Sequence, residues 1–114
     1  VALMSRAKRI GTAAETAVVA YLREHGWPKA ERRGLAGAND RGDIIGGPEG
    51  WALEVKASRT PAYQQWLREA EAERVNAAEL YGAVVHKPHG VGDANTGRWH
   101  VVMDLATFVR LNAR

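Results

Sequence analysis

The spacing of apolar residues changes along this chain, and each change marks an element. In residues 12–25 Val18, Val19, Tyr21, Leu22 and several alanines recur at helical spacing, which predicts an amphipathic helix stopped by Gly26. Residues 29–33, following Trp27-Pro28, read as a first strand, and residues 34–41 as a loop. Ile44-Ile45 and the run Trp51-Ala52-Leu53-Glu54-Val55-Lys56 flank a turn holding Gly46, Gly47, Pro48 and Gly50, the pattern of a β-hairpin. Thr60-Pro61 predicts the start of a second helix, with threonine as N-cap and proline in the first helical position. That helix runs to about residue 78, with Tyr63, Trp66, Leu67 and Ala70 inward and Arg68, Glu69, Glu71, Glu73 and Arg74 outward. Residues 82–86 and 99–103 read as strands around a flexible turn over 87–97, and residues 105–111 as a closing helix. Trp66 and Trp99 are expected in the core, and Trp51 or Tyr81 in a dimer contact. The order α-β-β-β-α-β-β-α predicts an α/β domain spanning 1–114, a mixed sheet flanked by helices, with residues 1–9 a basic, partly ordered segment.

Composition narrows the function classes. The chain has 114 residues, 46% hydrophobic and 25% charged, as in ordinary folded domains. Without cysteine, disulfides and cysteine-ligated zinc are excluded. The four histidines show no metal-ligand spacing. A net charge of +3 and a pI near 9.6 are compatible with nucleic acid as a partner. No apolar run reaches the roughly 18 residues of a membrane span, and no signal-peptide pattern is seen, so a cytoplasmic location and no membrane partner are expected.

The chemistry gathers around Asp43, Glu54 and Lys56. Glu54 and Lys56, two residues apart, share one strand face, while Trp51, Leu53 and Val55 take the other. Asp43 opens the partner strand and comes near that pair. Carboxylate oxygens suit a hard cation such as Mg²⁺, which keeps several waters, and an ammonium beside them can orient an attacking water. That is the layout of a phosphodiesterase. The same residues also fit plain structural roles, since aspartate caps turns and charges protect edge strands. Only four of the 16 basic residues are lysines (Lys8, Lys29, Lys56 and Lys87), so a lysine here stands out.

Glu15 is a fourth candidate. It lines up with Val18, Val19 and Leu22, which aims it toward the sheet. Thr12-x-x-Glu15 is equally a capping box, and the two roles are not exclusive. Taken in order, the motifs are Gly11 and Glu15, Gly26-Trp27, the basic pair Arg32-Arg33, a glycine-rich loop over 34–38, Gly42-Asp43-Ile44, and Glu54-Val55-Lys56. This set resembles the PD-(D/E)XK nuclease superfamily, and within it the archaeal-type (Hjc-like) Holliday-junction resolvases and their phage and bacterial relatives. The resemblance covers residues 8–86. Two features depart from it. The loop lacks the serine that some resolvases use there, so that role is vacant or passes to Asn39, and Gly42 stands where the superfamily has a proline.

The resemblance implies a restriction-endonuclease-like core and a metal-dependent endodeoxyribonuclease. Asp43, Glu54 and the Val55 carbonyl would hold Mg²⁺, for which Mn²⁺ substitutes, with Glu15 completing or flanking a second position. Ions in two-metal sites lie about 3.5–4 Å apart. Lys56 would position the water and balance developing charge. Gln64 and Gln65 would touch the site or the scissile strand, or stand as ordinary solvent-facing glutamines. Arg6, Lys8, Arg9, Arg32, Arg33 and Arg41 are each ordinary surface charges taken singly. Together they are a candidate phosphate-reading surface, and branched DNA is recognised by shape without base contacts. A four-way junction takes two matched incisions, so a chain with one site is expected to act as a homodimer. Restriction-like, flap-cutting or VRR-NUC-like nucleases would keep the four site residues and change the substrate. A non-catalytic DNA-binding protein on the same fold is the remaining alternative.

Overall fold

The computed structural model describes residues 5–33 and 42–113. The elements are α1 (Arg6–Glu24), β1 (Glu31–Arg32), β2 (Ile44–Ile45), β3 (Trp51–Lys56), α2 (Tyr63–Ala77), β4 (Tyr81–His86), a 3₁₀ segment (Asp93–Arg98), β5 (His100–Val102) and α3 (Leu105–Asn112). The chain is an α/β protein with a small mixed sheet, and its helices and strands follow the expected order.

The sheet is built around β4. β3 runs parallel to it in the register Glu54↔Val84 and Lys56↔His86. β5 runs antiparallel to it, with His86 opposite His100. A parallel pair needs a crossover, and α2 supplies it. The expected β2–β3 hairpin needs correction. The ladder partner of β2 is β1 (Glu31↔Ile45, Arg32↔Ile44). β2 reaches β3 through the bond from Asp43 N–H to the Leu53 carbonyl (2.8 Å).

Helix α1 starts earlier than its apolar spacing indicated. Ser5 is the N-cap: its Oγ accepts the Lys8 amide at 3.1 Å. Serine caps at least as well as threonine, and arginine and lysine are good helix formers. Residues expected to be partly ordered therefore form the first turns, exposed throughout from Ser5 to Ile10. Thr12 and Glu15 sit inside the helix, so no capping box forms. At the far end the Trp27 amide bonds back to the Leu22 carbonyl (3.0 Å), with Gly26 at φ +114°. α2 starts later than expected. Its N-cap is Ala62, with no side-chain capping bond, so Thr60 and Pro61 precede the helix.

Two apolar layers enclose the sheet. On one side Ala14, Val18 and Val19 of α1 pack with Leu53, Val55, Val85 and Trp99. On the other, Trp66 and Ala70 of α2 pack on Val84. β3 is therefore buried on both faces. Trp66 and Trp99 lie in the core as expected, each 6% exposed. The segment between β4 and β5, read as a flexible turn, is organised by Trp99. Its indole N–H donates to the Val91 and Gly92 carbonyls (3.2 and 3.3 Å), and Lys87 pairs with Asp93 at 2.9 Å. Trp51 and Tyr81 lie against each other, centroids 4.9 Å apart. α3 buries only Thr107 and leaves Leu105, Phe108 and Val109 exposed.

Candidate active site

The site forms where β2 leaves β3. Gly42 has φ +94°, and a Cβ there would lie 3.1 Å from the Leu53 carbonyl oxygen and 3.3 Å from the Leu53 nitrogen. Proline, fixed near φ −65°, cannot adopt this conformation. Glycine at this position is thus a requirement of this backbone. The Asp43 carbonyl accepts the Arg33 amide (2.8 Å) while its own amide goes to Leu53, so Asp43 bridges β1 and β3. Its side chain continues what the ladder drops: Oδ2 accepts the Val55 amide at 2.7 Å. A strand residue turns its amide and carbonyl toward the same edge. The Val55 carbonyl therefore opens on the Asp43 side, whereas the Lys56 carbonyl turns to β4 and accepts from Lys87 (2.9 Å).

Glu54 and Lys56 project from β3 toward α2. Glu54 is 8% exposed, and a carboxylate so buried needs compensating charge. Lys56 Nζ supplies it at 3.4 Å from Glu54 Oε1, and lies closer still, 3.1 Å, to Glu69 Oε1. Partial burial opposes the ammonium charge. The hydrogen bond to Glu69 and the fields of Glu54 and Glu69 outweigh it, and the Lys56 pKa is raised above 10.5. The ammonium can donate hydrogen bonds and offset negative charge.

Glu69 is the residue that pattern reading missed, having placed it on the outer face of the helix. Glu73, expected outward too, is 3% exposed. Gly82 helps explain how α2 comes so near: a Cβ there would lie 3.0 Å from the Ala70 carbonyl oxygen. Of the two glutamines, Gln65 joins the cluster by donating to Glu69 Oε2 (3.4 Å), whereas Gln64 lines a shallow groove with Leu67, Arg68, Glu71 and Asp104. The available signal for Glu69 was its position, one turn after Gln65 and directly before the buried Ala70.

The other expected site residues divide into four groups. Glu15 pairs with Arg32 (3.0 Å). Arg33 donates from Nε to the Gly42 carbonyl (3.2 Å), so it braces the backbone that carries Asp43. Arg6, Lys8 and Arg9 are exposed on the first turns of α1. Asn39, Arg41 and the glycine-rich loop over 34–38 lie outside the described residues.

His86, 2% exposed, lies opposite Lys56 in the β3–β4 register. Its Nε2 faces the Ser58 carbonyl (3.0 Å), an obligate acceptor, so Nε2 carries the proton and Nδ1 accepts from the Tyr63 hydroxyl (3.2 Å). His86 thus holds the segment leaving Lys56 and the first residue of α2 in place.

Among the described residues no three Asp, Glu, His or Cys side chains form a group able to hold a metal. What Asp43, Glu54 and the Val55 carbonyl offer is two carboxylates and one carbonyl, all hard oxygen donors. That set suits Mg²⁺, which takes one or two carboxylates and keeps waters. Among the described residues, Lys56 pairs with both Glu54 and Glu69. Comparison with protein-family models, with curated proteins and with solved structures gave no match.

Proposed function

We propose that this chain is a Mg²⁺-dependent, structure-selective DNA endonuclease that acts as a homodimer and makes paired symmetric nicks in a four-way junction. The observations that support the reading are the bond from the Val55 amide to the Asp43 carboxylate and the Glu54–Lys56 ion pair at the same end of β3. The run α1, β1, β2, β3, α2, β4, with β3 and β4 parallel, supports a restriction-endonuclease-like PD-(D/E)XK core.

In this reading Asp43 and Glu54, with the Val55 carbonyl, hold the ion, and Glu15 flanks the site from α1. Mg²⁺ held there would supply Lewis-acid chemistry toward water and the phosphate. Lys56 keeps its proton, orients the attacking water and offsets the charge that gathers on the phosphate oxygens. Arg33 fixes the Asp43 backbone, so that the carboxylate meets substrate already positioned. Gln65 steadies the cluster from α2. Arg6, Lys8 and Arg9 contact the DNA backbone from the exposed end of α1, and Arg32 adds to that basic surface, while Asn39 and Arg41 remain DNA-contact candidates from the sequence. A symmetric dimer presents two such sites to the two strands that must be cut.

One observation favours a second reading, a DNA-binding protein without catalysis: Lys56 already compensates Glu54, and no chelating trio of side chains is present among the described residues. Cleavage of a labelled four-way junction in Mg²⁺, beside linear duplex, flap and single strand, separates the readings. Paired symmetric nicks confined to the junction, lost in Lys56→Ala and in EDTA, are expected. Cutting of flap or duplex instead moves the substrate to another nuclease of this type. Tight junction binding with no cutting in Mg²⁺ or Mn²⁺ overturns the enzymatic reading.

A further inference from the structure

We propose that Glu69 is a positioning residue that holds the Lys56 ammonium partly away from Glu54, which keeps the Glu54 carboxylate available to a divalent cation. The proposal rests on the metal-dependent reading above. Its basis is geometric. Lys56 Nζ stands 3.1 Å from Glu69 Oε1 and 3.4 Å from Glu54 Oε1, so the tighter contact is with α2 and not with its own strand. Glu69 is steadied in turn by Gln65 Nε2 on its second oxygen (3.4 Å). Glu54 is 8% exposed and sits two residues from Lys56 on the same strand face. Without Glu69, the remaining ion-pair contact of the ammonium among the described residues is Glu54, and the ammonium closes on it. A lysine closed on Glu54 occupies the oxygen that a cation needs, and the two positive charges repel. Glu69 removes that competition, and it retains Lys56 beside the site once a cation neutralises Glu54. The helix thus tunes a strand-borne site without touching the reacting atoms.

A double-mutant cycle on the DNA-free protein tests this, with Mn²⁺ binding followed by electron paramagnetic resonance and folding checked by circular dichroism. Wild type, Glu69→Ala, Lys56→Ala and the double variant are compared. Glu69→Ala is expected to weaken Mn²⁺ binding about tenfold, within the range for coupled side chains in contact. In the Lys56→Ala background the same change is expected to have less than a twofold effect, because no ammonium is left to restrain. An equal penalty in both backgrounds overturns the proposal, since Glu69 then acts through its own charge on the ion. Wild-type protein that binds no Mn²⁺ overturns the metal-dependent reading and this inference with it. The two failures are therefore distinguishable.

Discussion

Replacing Gly42 by alanine is the most direct probe of how the fold holds Asp43. The residue sits at φ +94°, where an L side chain costs about 1–2 kcal/mol. Its new Cβ would press on the Leu53 backbone at 3.1 and 3.3 Å. Backbone atoms inside a strand cannot rotate aside, so β2 must draw back from β3. Crowding of that kind adds about 1–2 kcal/mol, and the sum is about 2–4 kcal/mol. A chain of 114 residues has a total stability of about 6–17 kcal/mol, so the variant still folds. Urea unfolding followed by tryptophan fluorescence measures the loss. Gly11→Ala is the control: it lies inside α1, meets nothing within 4 Å, and is expected to stabilise by about 0.5–1 kcal/mol. The retreat of β2 also lengthens the bonds that seat Asp43 on Leu53 and Val55. A displacement near 1 Å in a catalytic group costs about a hundredfold in rate, so under the proposed function junction cleavage falls by that order in protein that remains folded. If Gly42→Ala unfolds within 0.5 kcal/mol of wild type (below the roughly 1 kcal/mol minimum for this strain), the crowded left-handed geometry is refuted. If it is destabilised yet cleaves normally, the link from Gly42 to Asp43 is refuted.

Lys56→Met leaves Glu54 without its ammonium and is expected to destabilise by about 1–2 kcal/mol at pH 7, below the range for fully buried pairs because Lys56 retains some exposure. Because the Lys56 pKa is raised in the fold, its contribution is fully present below the ordinary value of 10.5 and disappears as pH rises through the raised value. Unfolding curves of wild type and Lys56→Met should therefore converge only above pH 10.5, and convergence between pH 8 and 9 contradicts the assignment. Arg32→Ala breaks an exposed ion pair and should cost less than about 1 kcal/mol by chemical denaturation. If the Glu15 carboxylate itself serves the site, Arg32→Ala keeps substantial cleavage while Glu15→Gln loses it. Mg²⁺ at ten times its dissociation constant should stabilise the folded chain by about 1.4 kcal/mol, a rise of several degrees in Tm by calorimetry. Asp43→Asn should abolish that rise.

The central strands and the order of elements were legible because their signals are local. Trp51–Lys56 alternates cleanly, Gly26 ends its helix, and the two core tryptophans lie in apolar settings. The start of α1 was not, because Arg6, Lys8 and Arg9 carry no apolar periodicity and Thr12-x-x-Glu15 offered a second, plausible cap. The partner of β2 was also missed. A glycine-rich turn between two apolar runs argues for a hairpin, but the Asp43 side chain takes the Val55 amide where a backbone carbonyl would continue the ladder. Charge was read as exposure, which fails for Glu73 but holds for Glu69, whose side chain is 41% exposed. On α2 the row facing the β3 carboxylate is itself polar, and only the tertiary meeting with Lys56 distinguishes Glu69 from a solvated glutamate.

β3 holds hydrocarbon on one face and charge on the other. Leu53 and Val55 belong to the layer under α1, while Glu54 and Lys56 answer to α2. Substitutions at odd and even positions of one short strand are therefore subject to different selection. A lineage can lose the Glu54–Lys56 pair through a single even-numbered change and keep its fold, or drift in its odd-numbered apolar residues and keep that pair. Inert descendants of such a domain are then to be expected as stable proteins, distinguishable from active ones by two alternate residues.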